Sequence, residues 1–519
     1  MSLYAFPTTT LRRILRSDYG ACALLLILVV ILYLPGLRIW AYADDFGHLS
    51  RAANPSSQWN ILGQLSFAFR PLERLVNSIN VALFGYETTF FSHLIALLGF
   101  VISVVAVFRL AWILGFESKI SVLVASAYFA FSPLNVMSVV QIDTISQQYA
   151  TVFSLLLLLW LIEGPVRKGL VHQLLIFLLA FLSFCAKETP FGVVCAIPLA
   201  AHLLTLSRRE GKGADQSRSW QWHMAASYSM ILAALIIYMW LRLASGATFG
   251  NPGERYSLNF AIVPMLMNMA QLFGALIYAG STLDIFPIPQ LGRIFVSSVF
   301  TLGLMVLGGI GLYLTIKPKG QGKQTSCGEA EQLGAESKII VATLSLLILA
   351  GMFPVVLTGH MSELYTYSSL PFYALLLGLL VGQGCRAVCS PYFLKPHISR
   401  LVIIFLVAAT VWLAYGTQEK LRLAVDVSDR AKGYFSQVFQ LMDAATSDHL
   451  SLCWRAGQNE KAAFSGFLMP DRVILRDVVA FVSQIGSKHI EFVQDLPDLS
   501  LCDYEAFIDN NELNIVRNR

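Results

Sequence analysis

Residues 21–37 read ACALLLILVVILYLPGL, and after Arg38 the chain continues IWAYADDF through residues 39–46. An uncharged run of this length is what a helix needs to cross a hydrocarbon core of roughly 30 Å. Two adjacent carboxylates, Asp44 and Asp45, therefore stand just where such a helix leaves the bilayer. No small-residue cleavage site follows the run, so it reads as a retained span and not as a signal peptide.

The rest of the chain agrees. Of 519 residues 56% are hydrophobic and only 13% charged, with a mean hydropathy of +0.63, whereas soluble domains carry roughly 25% charged residues. Runs of spanning length lie at about 20–37, 91–114, 119–137, 145–163, 170–186, 190–206, 223–243, 292–316, 339–357, 366–385 and 400–417, which makes eleven spans. The expected fold is an α-helical polytopic membrane protein with a transmembrane domain over residues 1–417. Residues 418–519 are more charged and are expected to form a small extramembrane α/β domain. In it LSLCW, HIEFV, YEAFID and LNIV read as strands, Arg472 to Ile485 as a helix and Asn510-Asn511 as a turn.

Lys and Arg orient the bundle, because short cytoplasmic loops hold the excess of positive charge. With the N-terminus inside, the cytoplasmic segments hold seventeen such residues and the opposite loops six: Arg38, Arg51, Arg70, Arg74, Lys187 and Arg255. The net charge of +5 thus reflects topology and gives no argument for nucleic acid. This orientation keeps residues 244–291 outside, as a loop with a re-entrant or interfacial helix near Phe260 to Tyr278, and places the tail outside too. An oxidising compartment would then permit a Cys453–Cys502 bridge.

Sorted by side, the unusual polar residues fall outside. Asp44, Asp45 and His48 open the first loop, and a stretch with apolar residues Leu62, Leu65, Phe69, Leu72, Val76, Ile79 and Leu83 at helical spacing follows, with Arg70, Arg74 and Asn77 off that stripe. Such a helix suits the membrane interface. Asp143 lies between the third and fourth spans. Lys187 and Glu188 precede Thr189 and Pro190, which suit an N-cap and a first helical turn, so that Lys187 beside a helix N-terminus is a candidate anion site. His360, Glu363, Tyr365 and Tyr367 stand in a further external segment.

The order AYADDF, FRPLERLVNSINVALFGYETTFFSHL, FSPLNVMSVV, AKETPFGV and SELYTYSSLPF over residues 20–385 resembles the GT-C superfamily of membrane glycosyltransferases. It is most similar to the bacterial relatives of the protein O-mannosyltransferases of the transmembrane and tetratricopeptide-repeat type. The resemblance implies transfer of a sugar from a polyprenyl-phosphate carrier to a protein, lipid or glycan acceptor on the extracytoplasmic face of a membrane, here the bacterial inner membrane. It implies a catalytic base in the acidic pair, Asp44 or Asp45, and cationic groups at Lys187 that face the carrier phosphate, with Glu188 beside them. The late Glu-Arg-Tyr motif is matched only loosely, by Glu363, Leu364 and Tyr365. Where relatives have His-Pro-x-His-x-Glu, this chain has Ser132-Pro133-Leu134-Asn135-Val136-Met137, which leaves Asp143 as the acid of that loop. No tetratricopeptide period is present in the tail.

Chemistry leads to the same assignment of roles. Inverting transfer needs a base for the acceptor hydroxyl and a positive environment for the departing phosphate. Asp44 and Asp45 are the candidates for the base and its helper. Lys187, Arg70 and His360 are the candidates for the phosphate, and Glu188, Asp143, Glu363 and Tyr365 for shaping the acceptor side. No cofactor is expected, and no His/Cys ligand set for a metal is visible in the sequence. The alternative is a transporter or lipid flippase of the cell-envelope glycan pathway, whose polar groups should lie at the bilayer midplane and not at one edge.

Overall fold

The computed structural model describes residues 18–518 except for 63–68, 117, 164–168, 208–214, 248–259, 285–289, 317–326, 359–361, 390–395, 456–468, 487, 495–501 and 510–511. Each of the eleven apolar runs forms a helix or a bent helix pair. The helices are α1 (Asp18–Tyr33), α4 (Phe90–Ile113), α5 (Lys119–Phe131) with its bent continuation α6 (Val136–Val140), α7 (Ile145–Glu163), α8 (Leu170–Ala186), α9 (Phe191–Ser207), α10 (Asp215–Ala244), α12 (Leu291–Ile316), α13 (Cys327–Val356), α14 (Leu370–Cys389) and α15 (Pro396–Ala444). Between α1 and α4 lie two shorter helices, α2 (Asp45–Ala53) and α3 (Pro71–Phe84). Among the described residues eight helices are long and apolar enough to cross a membrane, or nine if α5 and its continuation, bent by 43°, count as one span. Helices α8 and α9 have 17 residues each, about 25 Å at 1.5 Å per residue, short of the roughly 30 Å of a hydrocarbon core, so that eight or nine of the eleven expected spans have the length to cross.

Small residues bring the helices together. On α14, Gly378 and Gly382 are four apart and face α5, and a Cβ on Gly378 would stand 2.6 Å from Ala125 Cβ. Side chains there would push the two backbones apart; glycine lets them touch, as at many membrane helix contacts.

Alternation along the chain brings the ends of α1, α8, α10 and α13 and the starts of α4, α7, α9, α12 and α14 to one end of the bundle. All of the candidate polar loops are at this end. Helix α3 carries its polar row inward: Glu73, Asn77 and Asn80, at i, i+4 and i+7, are buried, while Leu83 is exposed. The apolar stripe read from the sequence therefore faces outward in part, as an interfacial helix should. In the 244–291 segment, α11 (Ile262–Ile277) has 16 residues, about 24 Å. Asn268 Nδ2 donates to Val356 O and Thr358 O, at 3.1 Å each, at the end of α13. The helix is thus tied to the polar end of the bundle and exposes Phe260, Ile262, Val263, Leu266 and Met267 nearby.

Residue 417 is no break in the chain: α15 runs as one helix of 49 residues through it. The tail then forms β1 (His449–Trp454), α16 (Asp471–Ile485), β2 (His489–Val493), β3 (Tyr504–Asp509) and β4 (Glu512–Arg517) in a sheet of order β2-β1-β3-β4. β1 is parallel to β2 and β3, and β4 pairs antiparallel with β3. All four strands and the helix match the sequence reading. Asn510-Asn511 fall outside the described residues, though Asp509 and Glu512 on either side of them pair. Cys453 and Cys502 form a disulfide with their Cα atoms 6.0 Å apart.

The tail rests on the first loop. Trp40 and Phe46 pack against Phe435 of α15 and Phe481 of α16, with ring centroids 5.0 to 6.2 Å apart, and Trp40 N donates to Ser428 Oγ at 2.6 Å. This aromatic layer fixes the loop that carries the acidic pair.

Candidate active site

The two adjacent acids have different surroundings. Asp45 is fully buried at the start of α2. Its Oδ2 accepts from Tyr42 N at 3.3 Å and its Oδ1 from Asp143 N at 3.1 Å, so it ties the first loop to the segment before α7. Burial, and after it the Asp143 carboxyl, raises the Asp45 carboxyl well above the ordinary carboxylate range. Asp44 is exposed and makes no capping hydrogen bond with its side chain. Its charge reaches Asp45, Asp143 and, from the tail, Asp477 of α16.

The charge of Asp143 also reaches a cationic cluster. Lys187 ends α8 in extended backbone and is 3% exposed. Burial, reinforced by the Arg70 charge, lowers its ammonium to about 8. Arg70 precedes Pro71, the first residue of α3; its Nε lies 3.9 Å from Glu188 Oε2 and its Nη1 3.8 Å from Glu73 Oε2. Burial would lower the guanidinium, but Glu188 and Glu73 raise it further, so it stays charged. At neither distance is a hydrogen bond made, and Arg70 Nε is a buried N–H with no acceptor. Arg242 Nη1, near the end of α10, donates to Glu188 Oε1 at 2.8 Å and to Tyr238 OH at 3.1 Å. Burial alone would raise Glu188, and Arg70 and Arg242 together hold it below the ordinary range. Glu73, fully buried, pairs with His48 Nδ1, and His48 and Arg70 likewise hold it low against its burial.

Asp143 joins the two halves. Its carboxyl interacts with Asp44, His48, Glu73 and Lys187, and the charge of Asp143 also bears on Arg70. The Lys187 segment is fixed by a polar relay in which Thr189 Oγ1 donates to Gln147 Oε1 and Gln147 Nε2 to Ser368 Oγ, both at 2.6 Å. Thr189 is thereby engaged with α7 and does not cap α9, whose first residue is Phe191. The Tyr365 phenol, in the turn Glu363–Thr366, interacts with Arg70. His360 and the side chain of Glu363 lie outside the described residues. Among the described residues no group of three or more His, Cys, Asp or Glu side chains is placed to hold a metal ion.

No protein-family model matches the sequence, and no curated protein matches it. Solved structures do. Over 96% of its length the chain is similar to ArnT from Cupriavidus metallidurans in the apo state, covering 98% of that chain at 12% identity with a TM-score of 0.49. It is similar to the same protein bound to undecaprenyl phosphate at 11% identity and a TM-score of 0.46, over 96% of this chain and 97% of that one. It is also similar to the arabinofuranosyltransferase AftD from Mycobacteria at 14% identity and a TM-score of 0.42, over 93% of this chain; it spans only 32% of AftD.

Of the residues singled out from the sequence, Asp44, Asp45, Asp143, Lys187, Glu188, Arg70 and Tyr365 meet at one end of the bundle. Glu73, Arg242 and Asp477 were not singled out. Glu73 stands three residues after Arg70 on an amphipathic helix, a spacing that pairs side chains. Arg242 is an ionisable residue near the end of an apolar run, in itself a signal of function in a membrane helix. Asp477 carries no such mark; only the docking of α16 onto the first loop brings it to the site.

Proposed function

We propose that the protein transfers a sugar from a polyprenyl-phosphate carrier to a hydroxyl of a protein, lipid or glycan acceptor, at the extracytoplasmic end of the bundle. The observation that carries this reading is a buried cationic cluster of Lys187 and Arg70, in which the Arg70 Nε–H has no acceptor, linked through the Asp143 carboxyl to the exposed Asp44. A phosphate oxygen is what such an N–H lacks, since burying a donor without a partner costs about 1–3 kcal/mol.

Asp44 takes the proton of the acceptor hydroxyl as its oxygen bonds to the anomeric carbon. The bond from that carbon to the phosphate oxygen breaks, and its electron pair leaves with the phosphate. Lys187, Arg70 and the first N–H groups of α9 meet the charge developing on the phosphate. Arg242 and Glu188 position this cluster, and Asp45 holds the loop of Asp44 against Asp143 N. The exposed apolar side of α11 gives the polyprenyl chain a lipid-facing surface next to the site. The extracytoplasmic sidedness is supported by the seventeen to six division of basic residues. A transporter would want its polar groups at midplane, and this cluster gathers at helix ends.

The test uses purified protein in lipid nanodiscs with a panel of undecaprenyl-phosphate sugars and with glycan, lipid and peptide acceptors, reading release of undecaprenyl phosphate. Release in the wild type that falls by about 10²- to 10⁴-fold in Asp44→Asn supports the reading. Equal release by wild type and Asp44→Asn removes it.

A further inference from the structure

The outer face of the tail carries a pair of side chains that the transfer chemistry above does not use. β1 and β2 run parallel, and His449 of β1 stands in register with His489 of β2 at the start of both strands. Side chains alternate between the two faces along a strand. Leu450 and Ile490, the next residues, are buried, while both histidines are exposed, so the pair lies on the solvent side of the sheet. Their ring centroids are 5.7 Å apart. His489 N donates to Asp448 O at 2.9 Å and His449 N to Ser447 Oγ at 3.2 Å, which fixes the two backbones. Among the described residues neither imidazole makes a hydrogen bond or an ion pair, so the ring nitrogens of both are open to a ligand.

The spacing suits a shared metal ion. Counting about 2.1 Å for a metal–nitrogen bond and about 1.1 Å from a ring nitrogen to its ring centre, two imidazoles on one ion have centroids about 5.2 Å apart at the tetrahedral angle and about 6.4 Å apart when opposed. The 5.7 Å of this pair falls between these limits, so the rings need only rotate and the strands need not move. The charges nearby also favour a cation. Lys488 precedes His489, but its ammonium is turned to Met442 O and Ala445 O at the end of α15. Asp448 and Glu491 are exposed, and among the described residues neither carboxylate has a partner. Glu491 is two residues beyond His489 and on the same face, about 7 Å along the strand, from where its side chain can turn to meet an ion.

We propose that His449 and His489 together bind one divalent transition-metal ion, of the class of copper(II), nickel(II) and zinc(II), with Glu491 and water completing its coordination. Imidazole is a ligand that suits these ions, whereas magnesium and calcium take oxygen ligands. The ion joins the start of β1, which follows α15, to the edge strand β2, which follows α16. Those two helices pack on the turn before Asp44, so metal binding stiffens the part of the tail that supports the acidic loop. The site is independent of the glycosyl-transfer reading and would stand if that reading failed.

The experiment needs no turnover. Full-length protein with a histidine-free affinity tag, in detergent and stripped of metal by a chelator, is titrated calorimetrically with copper(II), nickel(II), zinc(II) and magnesium. Copper(II) should bind at one equivalent and more tightly than nickel(II) or zinc(II), the usual order for nitrogen ligands, and magnesium should not bind. Electron spin resonance of the copper(II) form should show two imidazole nitrogens in the wild type and one in His449→Gln or His489→Gln. Each of these variants should lower copper(II) affinity at least tenfold and lose the rise in melting temperature that the ion gives the wild type; Glu491→Gln should weaken binding by less. Both histidines are exposed, so the metal-free variants should melt as the wild type does, and if they do not, the wild-type spin resonance decides. His397→Gln, at the exposed start of α15, should leave binding unchanged. Copper(II) held by fewer than two imidazole nitrogens in the wild type, or with the same affinity in both histidine variants, overturns the proposal. An equal loss in His397→Gln also overturns it, because the ion is then adventitious and shared among surface histidines.

Discussion

Lys187 makes the donor reading quantitative. Its ammonium falls from the ordinary 10.5 to about 8 because it is buried and faces Arg70. At about 1.4 kcal/mol per pH unit, keeping it charged in the empty site costs about 3 kcal/mol. Since the folded value lies below the unfolded one, its contribution to stability is present above 10.5 and lost as pH falls through 8. At neutral pH the empty site therefore carries this cost. A phosphate oxygen about 4 Å away returns roughly 4 kcal/mol per unit charge at an effective dielectric of 20, enough to bring Lys187 back towards its ordinary value. Carrier binding should then take up a proton between pH 8 and 10. A phosphate monoester is already fully ionised there, its second pKa being about 6. The expected outcome is a nearly constant affinity for undecaprenyl phosphate from pH 7 to 8, then a loss approaching tenfold per pH unit. Titration calorimetry in buffers of different ionisation enthalpy reads both the affinity and the proton. Lys187→Arg should abolish the slope and keep binding; Lys187→Met should abolish the slope and weaken binding at pH 7 by at least tenfold. A wild-type affinity that is flat from pH 7 to 10, or a slope that survives in Lys187→Met, refutes the assignment.

The two carboxylates should separate in the same way. Asp44→Asn should lower turnover by about 10²- to 10⁴-fold without moving the melting temperature. Asp45→Asn sets an amide N–H against Tyr42 N–H or Asp143 N–H and should destabilise the fold by about 1–3 kcal/mol, read by thermal unfolding. The Asp45 carboxyl is raised in the fold, so its stability contribution is full below the unfolded value near 4 and is lost as pH rises towards the folded value; Asp45→Asn should remove that part of the slope in melting temperature against pH. The Cys453–Cys502 bridge closes a 49-residue separation and is worth about 4 kcal/mol in the chain-entropy model. Cys502→Ser should lower the tail's stability by that order, and alkylation of the unreduced native protein should label neither thiol. A reporter joined after Arg519 should be active only outside the cytoplasm; cytoplasmic activity would reverse the proposed sidedness.

The helices were legible because an uncharged run of spanning length has few other uses. Tail strands were legible from alternation, as in LSLCW, whose Leu450 and Leu452 are buried. The end of the helix that carries the last apolar run was not legible: the change from apolar to charged residues after Thr417 looks like a helix end, and α15 passes through it. The candidate site was legible to the extent that polar residues at helix ends stand out against lipid. Pairings were not, because they depend on packing over long separations: Arg242 meets Glu188 across 54 residues and Asp45 meets Asp143 N across 98. Glu73 escaped notice because it lies on the inward face of a helix whose apolar stripe suggested the opposite orientation.

The loop geometry explains how neighbours in sequence come to differ so much. Ala43 is the one described non-glycine residue with positive φ, at 55°. That conformation costs an L-residue about 1–2 kcal/mol, so something must hold it. The holding contacts surround it: Trp40 N on Ser428 Oγ, the aromatic packing of Trp40 and Phe46 on α15 and α16, and the Asp45 carboxyl on Tyr42 N and Asp143 N. The turn at Ala43 leads directly into α2, with Asp45 pointing into the protein and Asp44 left exposed next to it. One acid is a fastening, so the other is held in place without itself being bonded, which is what a base needs in order to remain available to a substrate. The same contacts give the tail a part in the site. Helices α15 and α16 pack on the turn that fixes Asp44, and Asp477 brings a further acid within its range. The position of the proposed base is therefore set from both sides, by the membrane bundle through Asp143 N on Asp45 and by the tail through its aromatic face.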